Sequence, residues 1–299
     1  MQLPDLSRRG FLIGAVSLIP AFRAAASPST AIPVFSDDAR FAAIEKRVAG
    51  RLGVAALDTA SGRRIGHRAA ERFPLCSTFK FLAVAAVLKR VDEGRENLDR
   101  RIGYSQGDLL EYAPITRQHE KEGGMTVSAL CAAAIEYSDN TAANLLLQSL
   151  GGPSAIGRYA ATLGDGVTRL DRTEPSLNEA VPGDPRDTTS PAAMVGDLRA
   201  ILLGKALSPA SLQNIQTWLV ANTTGGSRLR AGLPADWRVG DKTGTGGHGA
   251  TNDIAILWPP GREPILVAAY LTETAAPAAE RNRALAEVGR IIAGSFPGA

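Results

Sequence analysis

The chain has 299 residues, of which 44% are hydrophobic and 21% charged. That length buries a sizeable core in one large domain or two modest ones, and the composition excludes disordered and fibrous classes. The formal net charge is +3, and residues 27–299 carry 30 basic against 29 acidic side chains, so no basic field for nucleic acid exists.

The first residues read as an address. Ser7-Arg8-Arg9-Gly10-Phe11-Leu12 is a twin-arginine pattern, Gly10 to Phe22 is apolar, and Ala24-Ala25-Ala26 offers small residues for cleavage. The apolar run is shorter than the ~20 residues a membrane span needs. Residues 1–26 are therefore expected to be a cleaved export signal that sends a folded chain to the periplasm, with no stable membrane span. Residues 27–36, rich in Pro, Ser and Ala, read as a linker.

Phe41, Ile44 and Val48 recur at helical spacing between Asp37 and Ala49. Gly53–Asp58 and Arg64–His67 flank a Thr-Ala-Ser-Gly turn and predict a hairpin. The middle of the chain predicts helices over Ser77–Val91, Thr126–Glu136, Thr141–Leu150, Pro191–Leu203 and Ser208–Ala221. Gly151-Gly152 stops the third of these. Strands return at Trp237–Lys242, Asp253–Trp258 and Ile265–Thr272, followed by a helix over Ala278–Ala293. Strands from both ends and helices between them predict an α/β (α+β) fold. Residues 27–75 and 222–299 form an antiparallel β-sheet flanked by helices, and residues 76–221 an all-helical lobe. Between the helices, residues 169–190 hold three prolines and five acidic residues and match neither periodicity. A loop of that length inside a compact body is usually functional.

Two cysteines, Cys76 and Cys131, permit at most one disulfide. His67, His119 and His248 lie far apart, so no metal site is expected.

Three short motifs carry chemistry. Ser77 and Lys80 stand three apart at a helix start, which puts hydroxyl and amine on one face. A serine needs a base to become a nucleophile, and a lysine with a lowered pKa serves. Alone, the pair reads equally as an N-cap serine beside a solvated lysine. Ser138-Asp139-Asn140 lies between two helices, where Ser138 can relay a proton and Asn140 hold a substrate amide; alone, it reads as a helix cap. Lys242-Thr243-Gly244, with Thr245, ends a strand. Its amine and hydroxyls suit a substrate carboxylate, and Gly244 admits close backbone approach. The N–H groups of Ser77 and Thr245 then offer an oxyanion hole.

In this order the three motifs resemble the class A serine β-lactamase family, for which the triplet is a known signature. The resemblance covers essentially the whole chain after the export signal. It implies the serine β-lactamase/DD-peptidase-like fold, no cofactor, a monomer, and a small-molecule β-lactam as partner. Glu174-Pro175-Ser176-Leu177-Asn178 resembles the family's Glu-x-x-x-Asn element on its Ω-loop. It implies that Glu174, with Asn178, activates the water that frees the acyl-enzyme, and that the Glu174–Pro175 bond is cis. Peptidases of the penicillin-binding type lack this element. By resemblance, Arg172 and Asp187 pin the loop ends, and Tyr112 forms the aromatic wall of the cleft entrance.

The sequence departs from the common pattern in two places. Many members carry an arginine for the substrate carboxylate at the position of Thr251; a subgroup supplies it from Asn-Thr-Thr-Gly-x-x-Arg, which here assigns Arg228. Carbapenem-hydrolysing members of that subgroup join the cysteine before the nucleophile to one past Lys-Thr-Gly, where this chain has Gly246. The partner of Cys131 in another family disulfide falls on Val84. Two free thiols are therefore expected. The main expectation is β-lactam hydrolysis, conferring antibiotic resistance, through a Ser77 acyl-enzyme. The alternatives are a D-Ala-D-Ala peptidase and a non-catalytic β-lactam sensor domain.

Overall fold

The structure, a computed structural model, describes residues 1–2 and 34–296. The expected export signal lies outside the described residues. In chain order the elements are β1 (Ser36–Asp37), α1 (Ala39–Val48), β2 (Arg51–Asp58), β3 (Arg64–His67), β4 (Phe73–Pro74) and α2 (Phe79–Asp92). Then come β5 (Arg101–Ile102), β6 (Met125–Thr126), α3 (Val127–Glu136), α4 (Asn140–Leu150) and α5 (Ser154–Thr162). The last are β7 (Thr188–Thr189), α6 (Pro191–Leu202), α7 (Pro209–Val220), β8 (Arg238–Thr245), β9 (Thr251–Trp258), β10 (Ile265–Thr272) and α8 (Ala278–Ser295).

The main sheet has six strands in the order β1-β3-β2-β10-β9-β8. All pairs are antiparallel except β1 with β3, which run parallel over two residues. The sheet is therefore mixed, not wholly antiparallel. Ser36, expected in a linker, already belongs to it.

Side chains alternate across a strand, so each long strand feeds two cores. Val54, Ala56, Val267 and Ala269 pack against Phe41 and Ile44 of α1 and Leu285, Val288 and Ile292 of α8. Ala55, Ile254, Ile256, Leu266, Ala268 and Tyr270 join the helices on the other face. With both faces covered, residues 52–57 of β2, 254–257 of β9 and 265–271 of β10 are apolar. Helix α2 is buried on every side from Phe79 to Leu88, as a helix at the centre of a bundle must be. It fixes the depth at which the site is built.

The helix ends follow from sequence. Thr126, Asp139, Ser190 and Ser208 each accept a hydrogen bond from a first-turn backbone N–H, satisfying a donor that the helix itself cannot. Pro191 and Pro209 follow two of these caps. Gly151 ends α4 at φ 90°.

Three expectations change. Helix α5 was not expected; Gly151-Gly152-Pro153 stops one helix and Pro153 opens the next. Strand β8 runs through Lys242-Thr243-Gly244 to Thr245, so the motif lies within the strand. Residues 169–190 are not wholly irregular: Ser176–Asn178 form a 3-10 turn, and Thr188–Thr189 pair with Phe73–Pro74. That pairing ties the end of the loop to the segment just before Ser77.

Candidate active site

Ser77 sits in a 3-10 turn, Cys76–Thr78, that leads into α2. Its neighbour Cys76 is held at φ 44°, a left-handed conformation that costs a non-glycine residue about 1–2 kcal/mol. The surroundings hold it there. Asn252 Nδ2 donates to the carbonyls of Pro74 and Leu75 at 2.8 and 3.1 Å. Thr78 Oγ1 donates to the Leu75 carbonyl at 2.7 Å, and the Leu75 N–H donates to the Asp187 carbonyl at 2.8 Å. Strand β8 closes against this turn at Gly244, where a Cβ would stand 3.0 Å from the Leu75 carbonyl oxygen and 3.1 Å from Cys76 Cβ.

Lys80 is fully buried one turn on. Its Nζ donates to Asn140 Oδ1 at 2.6 Å, to the Ser138 carbonyl at 2.7 Å and to Ser138 Oγ at 3.3 Å. It also lies 3.0 Å from Glu174 Oε1. Burial lowers its pKa from the ordinary lysine value, and the neighbouring Glu174 and Asp139 carboxylates pull the other way.

The Ser138-Asp139-Asn140 loop proves to be both a cap and a site. Asp139 caps α4 through Ala142 N at 2.8 Å. Its other oxygen accepts from Ile115 N and Thr116 N, both at 2.9 Å. Thus gripped, Ser138 stands at φ 58° and presents its hydroxyl to two ammonium groups. Lys242 Nζ, from β8, donates to Ser138 Oγ at 3.0 Å. Burial and the nearby Lys80 charge drive the Lys242 pKa well below its usual value.

Glu174 arrives from the long loop, buried at 3% exposure. Its Oε1 accepts from Ser77 Oγ at 3.1 Å, and its Oε2 accepts a short hydrogen bond from Asn178 Nδ2. The Glu174–Pro175 bond is cis. Asn144 clamps the glutamate backbone from α4: its Oδ1 accepts from Glu174 N at 3.0 Å and its Nδ2 donates to Glu174 O at 2.9 Å. At the loop's base Arg172 Nε donates to Asp187 Oδ2 at 2.6 Å. Asp187 Oδ1 also accepts from the N–H groups of Asp171 and Arg172, at 2.7 and 2.9 Å.

A cleft of about 310 Å³ opens above these groups. Ser77, Tyr112, Ser138, Asn140, Asn178, Thr243, Gly244, Thr245 and Arg228 all line it. Lys80, Glu174 and Lys242 lie beneath its floor by virtue of the contacts above. Tyr112 stands at the rim, 51% exposed, with its hydroxyl 3.2 Å from the Tyr137 carbonyl. Arg228 Nη1 donates to the carbonyls of Gly244 and Asn252 at 2.7 and 2.6 Å, and Nη2 donates to Thr245 Oγ1 at 2.6 Å. Thr245 pairs with Thr251 across the sheet, so the guanidinium reaches the strand end that Thr251 leaves without one.

The model of the β-lactamase enzyme family matches residues 38–296. β-Lactamase L2 of Stenotrophomonas maltophilia is 51% identical over 269 residues, 90% of this chain and 88% of the relative. β-Lactamase AST-1 of Nocardia asteroides is 50% identical over 255 residues, 85% and 82% respectively. The solved structure of an ancestral (GNCA) class A β-lactamase is 64% identical with a TM-score of 0.85, covering 86% of this chain and 99% of that one.

The chain belongs to the class A serine β-lactamase family. It is a hydrolase of β-lactams, and its fold is that of this enzyme class. In this β-lactamase Cys76 and Cys131 are both buried and unpaired. A Cβ at Gly246 would stand 2.7 Å from Cys76 Sγ, so the glycine occupies the place a partner thiol would need. Burial pushes the Cys76 pKa up to about 12, which removes the thiolate and any rivalry with Ser77.

Every site residue named from sequence is in the cleft, beneath it or at the base of the loop. Four contributors were missed: Asn144, Asn252, Thr224 and the second role of Asp139. Thr224 lines the cleft and its hydroxyl lies 2.5 Å from that of Thr243. It falls inside the Asn-Thr-Thr-Gly-x-x-Arg run that pointed to Arg228, and that signal was available.

Proposed function

We propose that this β-lactamase opens the ring through a Ser77 acyl-enzyme that Glu174 then releases. The observation that carries this is the Glu174 carboxylate, which hydrogen-bonds Ser77 Oγ and Asn178 and lies 3.0 Å from the Lys80 amine. Ser77 Oγ attacks the lactam carbonyl while its proton passes to the Glu174–Lys80 pair. The direct 3.1 Å contact from Ser77 to Glu174 favours the carboxylate as first acceptor. The N–H groups of Ser77 and Thr245 stabilise the oxyanion. The C–N bond breaks, and Ser138, bridged between Lys80 and Lys242, passes its proton to the departing nitrogen and is reprotonated through Lys80 by the proton taken from Ser77, which returns Glu174 to a carboxylate. Lys242, Thr243, Thr245 and Arg228 hold the substrate carboxylate, Asn140 and Asn178 its amide, and Tyr112 its flank. Glu174 then takes a proton from water, whose oxygen attacks the ester, and Ser77 leaves with its proton restored. Arg172 and Asp187 keep the loop in register. Export by the twin-arginine route to the periplasm completes the proposal and rests on Ser7–Leu12.

The test is turnover of a chromogenic cephalosporin by wild type and Glu174→Ala, followed by intact-mass analysis. The expected result is rapid turnover in the wild type and a stable adduct on Ser77 in the variant. An adduct without turnover in the wild type would overturn the proposal in favour of a peptidase or sensor.

A further inference from the structure

Behind the Ω-loop lies a second cavity, of about 350 Å³. Residues 180–186 of the loop form one wall, and residues from β2, β4 and β10 form the other. The loop is therefore exposed to two chambers. Asn178 faces the catalytic cleft, and Leu177, next to it, lines the rear cavity.

The rear chamber has walls of paired charges over an apolar floor, with one arginine left outside the pairs. Four arginines and two carboxylates line it. Arg51 is paired with Glu71 and Glu273, Arg172 with Asp187 and Glu179, and Arg186 with Asp184. Arg72 is different: among the described residues it has no carboxylate partner, and Nη1 donates only to Thr188 Oγ1 at 2.9 Å. Thr272 of β10 lines the same cavity; it is 2% exposed, and among the described residues its buried hydroxyl has no hydrogen-bond partner. A buried hydroxyl left unsatisfied calls for one. Ala180 and Pro74 supply apolar surface, backed by the fully buried Leu177, and Val181 is 45% exposed at the edge.

We propose that this rear cavity binds a small organic anion, its charged head on Arg72 and the Thr272 hydroxyl and its apolar body against Ala180 and Val181. A guanidinium fork matches a carboxylate or phosphonate head, and the chamber has room for a body of one ring. An occupant bears on the loop segment that directly follows Glu174 and Asn178. It therefore alters release of the acyl-enzyme and leaves substrate capture unchanged; this second half rests on the role proposed above for Glu174.

Phenylphosphonate is the probe and neutral phenylacetamide the control, titrated calorimetrically into the full chain. The catalytic cleft, which itself holds carboxylates, is first blocked by acylating Glu174→Gln protein with a cephalosporin. Saturable binding of phenylphosphonate to the blocked protein is expected, weakened at least about tenfold by Arg72→Gln or by Thr272→Val. Gln retains an N–H for Thr188, and Val retains the shape of Thr, so both variants test the head group rather than the fold. Binding that vanishes on acylation, survives both substitutions or is matched by phenylacetamide overturns the proposal. In the wild type the probe is expected to change kcat for a cephalosporin at constant kcat/KM, and Arg72→Gln to abolish that change. Binding without a kcat effect would overturn only the link to Glu174, and absence of turnover would overturn the catalytic proposal while the binding result stands.

Discussion

The guanidinium of Arg228 is nearly buried, at 9% exposure, and its N–H groups go to Gly244 O, Asn252 O, Thr245 Oγ1 and Asn282 Oδ1. It thus sets the shape of the strand end as well as its charge. Burial lowers its pKa from the ordinary arginine value, opposed by Asp253 and Asp241, and an arginine so placed stays charged. Arg228→Ala is expected to raise KM for penicillins about tenfold, with a smaller change in kcat, because it removes binding shared by substrate and transition state. Steady-state kinetics check this, and an unaltered KM would contradict it. Gly246 is the complementary case. An added Cβ there would meet the Asn178 carbonyl at 2.6 Å and Cys76 Sγ at 2.7 Å. Gly246→Ala is expected to cost about 1–3 kcal/mol, as overpacking does, read as a lowered Tm. Both positions were legible because each stands at a fixed offset from a motif. Asn252 and Asn144 were not. Each acts by gripping backbone far away in sequence, and a lone asparagine on a strand or helix carries no local mark of that.

The Ω-loop is where a short element governs the chemistry. Its length, prolines and acidic residues were plain in the sequence, and Glu174 and Asn178 stood out by their spacing. Its attachment was less plain. The β4–β7 pairing involves two residues on each strand, too few for periodicity to reveal. The Leu75 N–H to Asp187 carbonyl bond joins the loop base directly to the nucleophile turn. Asp187 is 1% exposed and Arg172 16%, so this ion pair is shielded as a surface pair is not. Asp187→Ala leaves Arg172 Nε and two backbone N–H groups without their acceptor, while Nη1 keeps Glu179. Breaking a buried pair in this way costs about 3 kcal/mol or more. Limited proteolysis is expected to cut within residues 169–190 of the variant. Acyl-enzyme is expected to persist longer, because Glu174 is displaced more than Ser77. Wild-type turnover together with wild-type protease resistance would rule this out.

At the scale of the whole molecule, the central fact is a sheet covered on both faces. The apolar runs of the strands, the largely apolar α2 and the return of strands at the end of the chain announced it, and the long strands lie close to where they were expected. The parallel β1 and the other two-residue strands were hidden, since pairing over so short a length is decided by neighbours in space. So was one acidic pair. Asp197 of α6 is 1% exposed, and among the described residues neither of its carboxylate oxygens has a hydrogen-bond donor. Asp165, just past α5, leaves Oδ2 equally unpaired. Burial first, and the Asp165 charge second, raise the Asp197 pKa well above 3.8. Asp92 and the hydroxyls of Tyr159 and Tyr270 lie in the same electrostatic neighbourhood, and none of them supplies a positive charge. A proton on Asp197 would provide the missing donor. A carboxyl whose folded pKa is raised contributes stability at low pH and loses it as pH rises through that pKa. Asp197→Asn keeps a donor for Asp165 and cannot ionise. Its Tm relative to wild type is therefore expected to be higher at about pH 8 than at about pH 4. A constant difference across that range would show that Asp197 does not titrate in the folded protein.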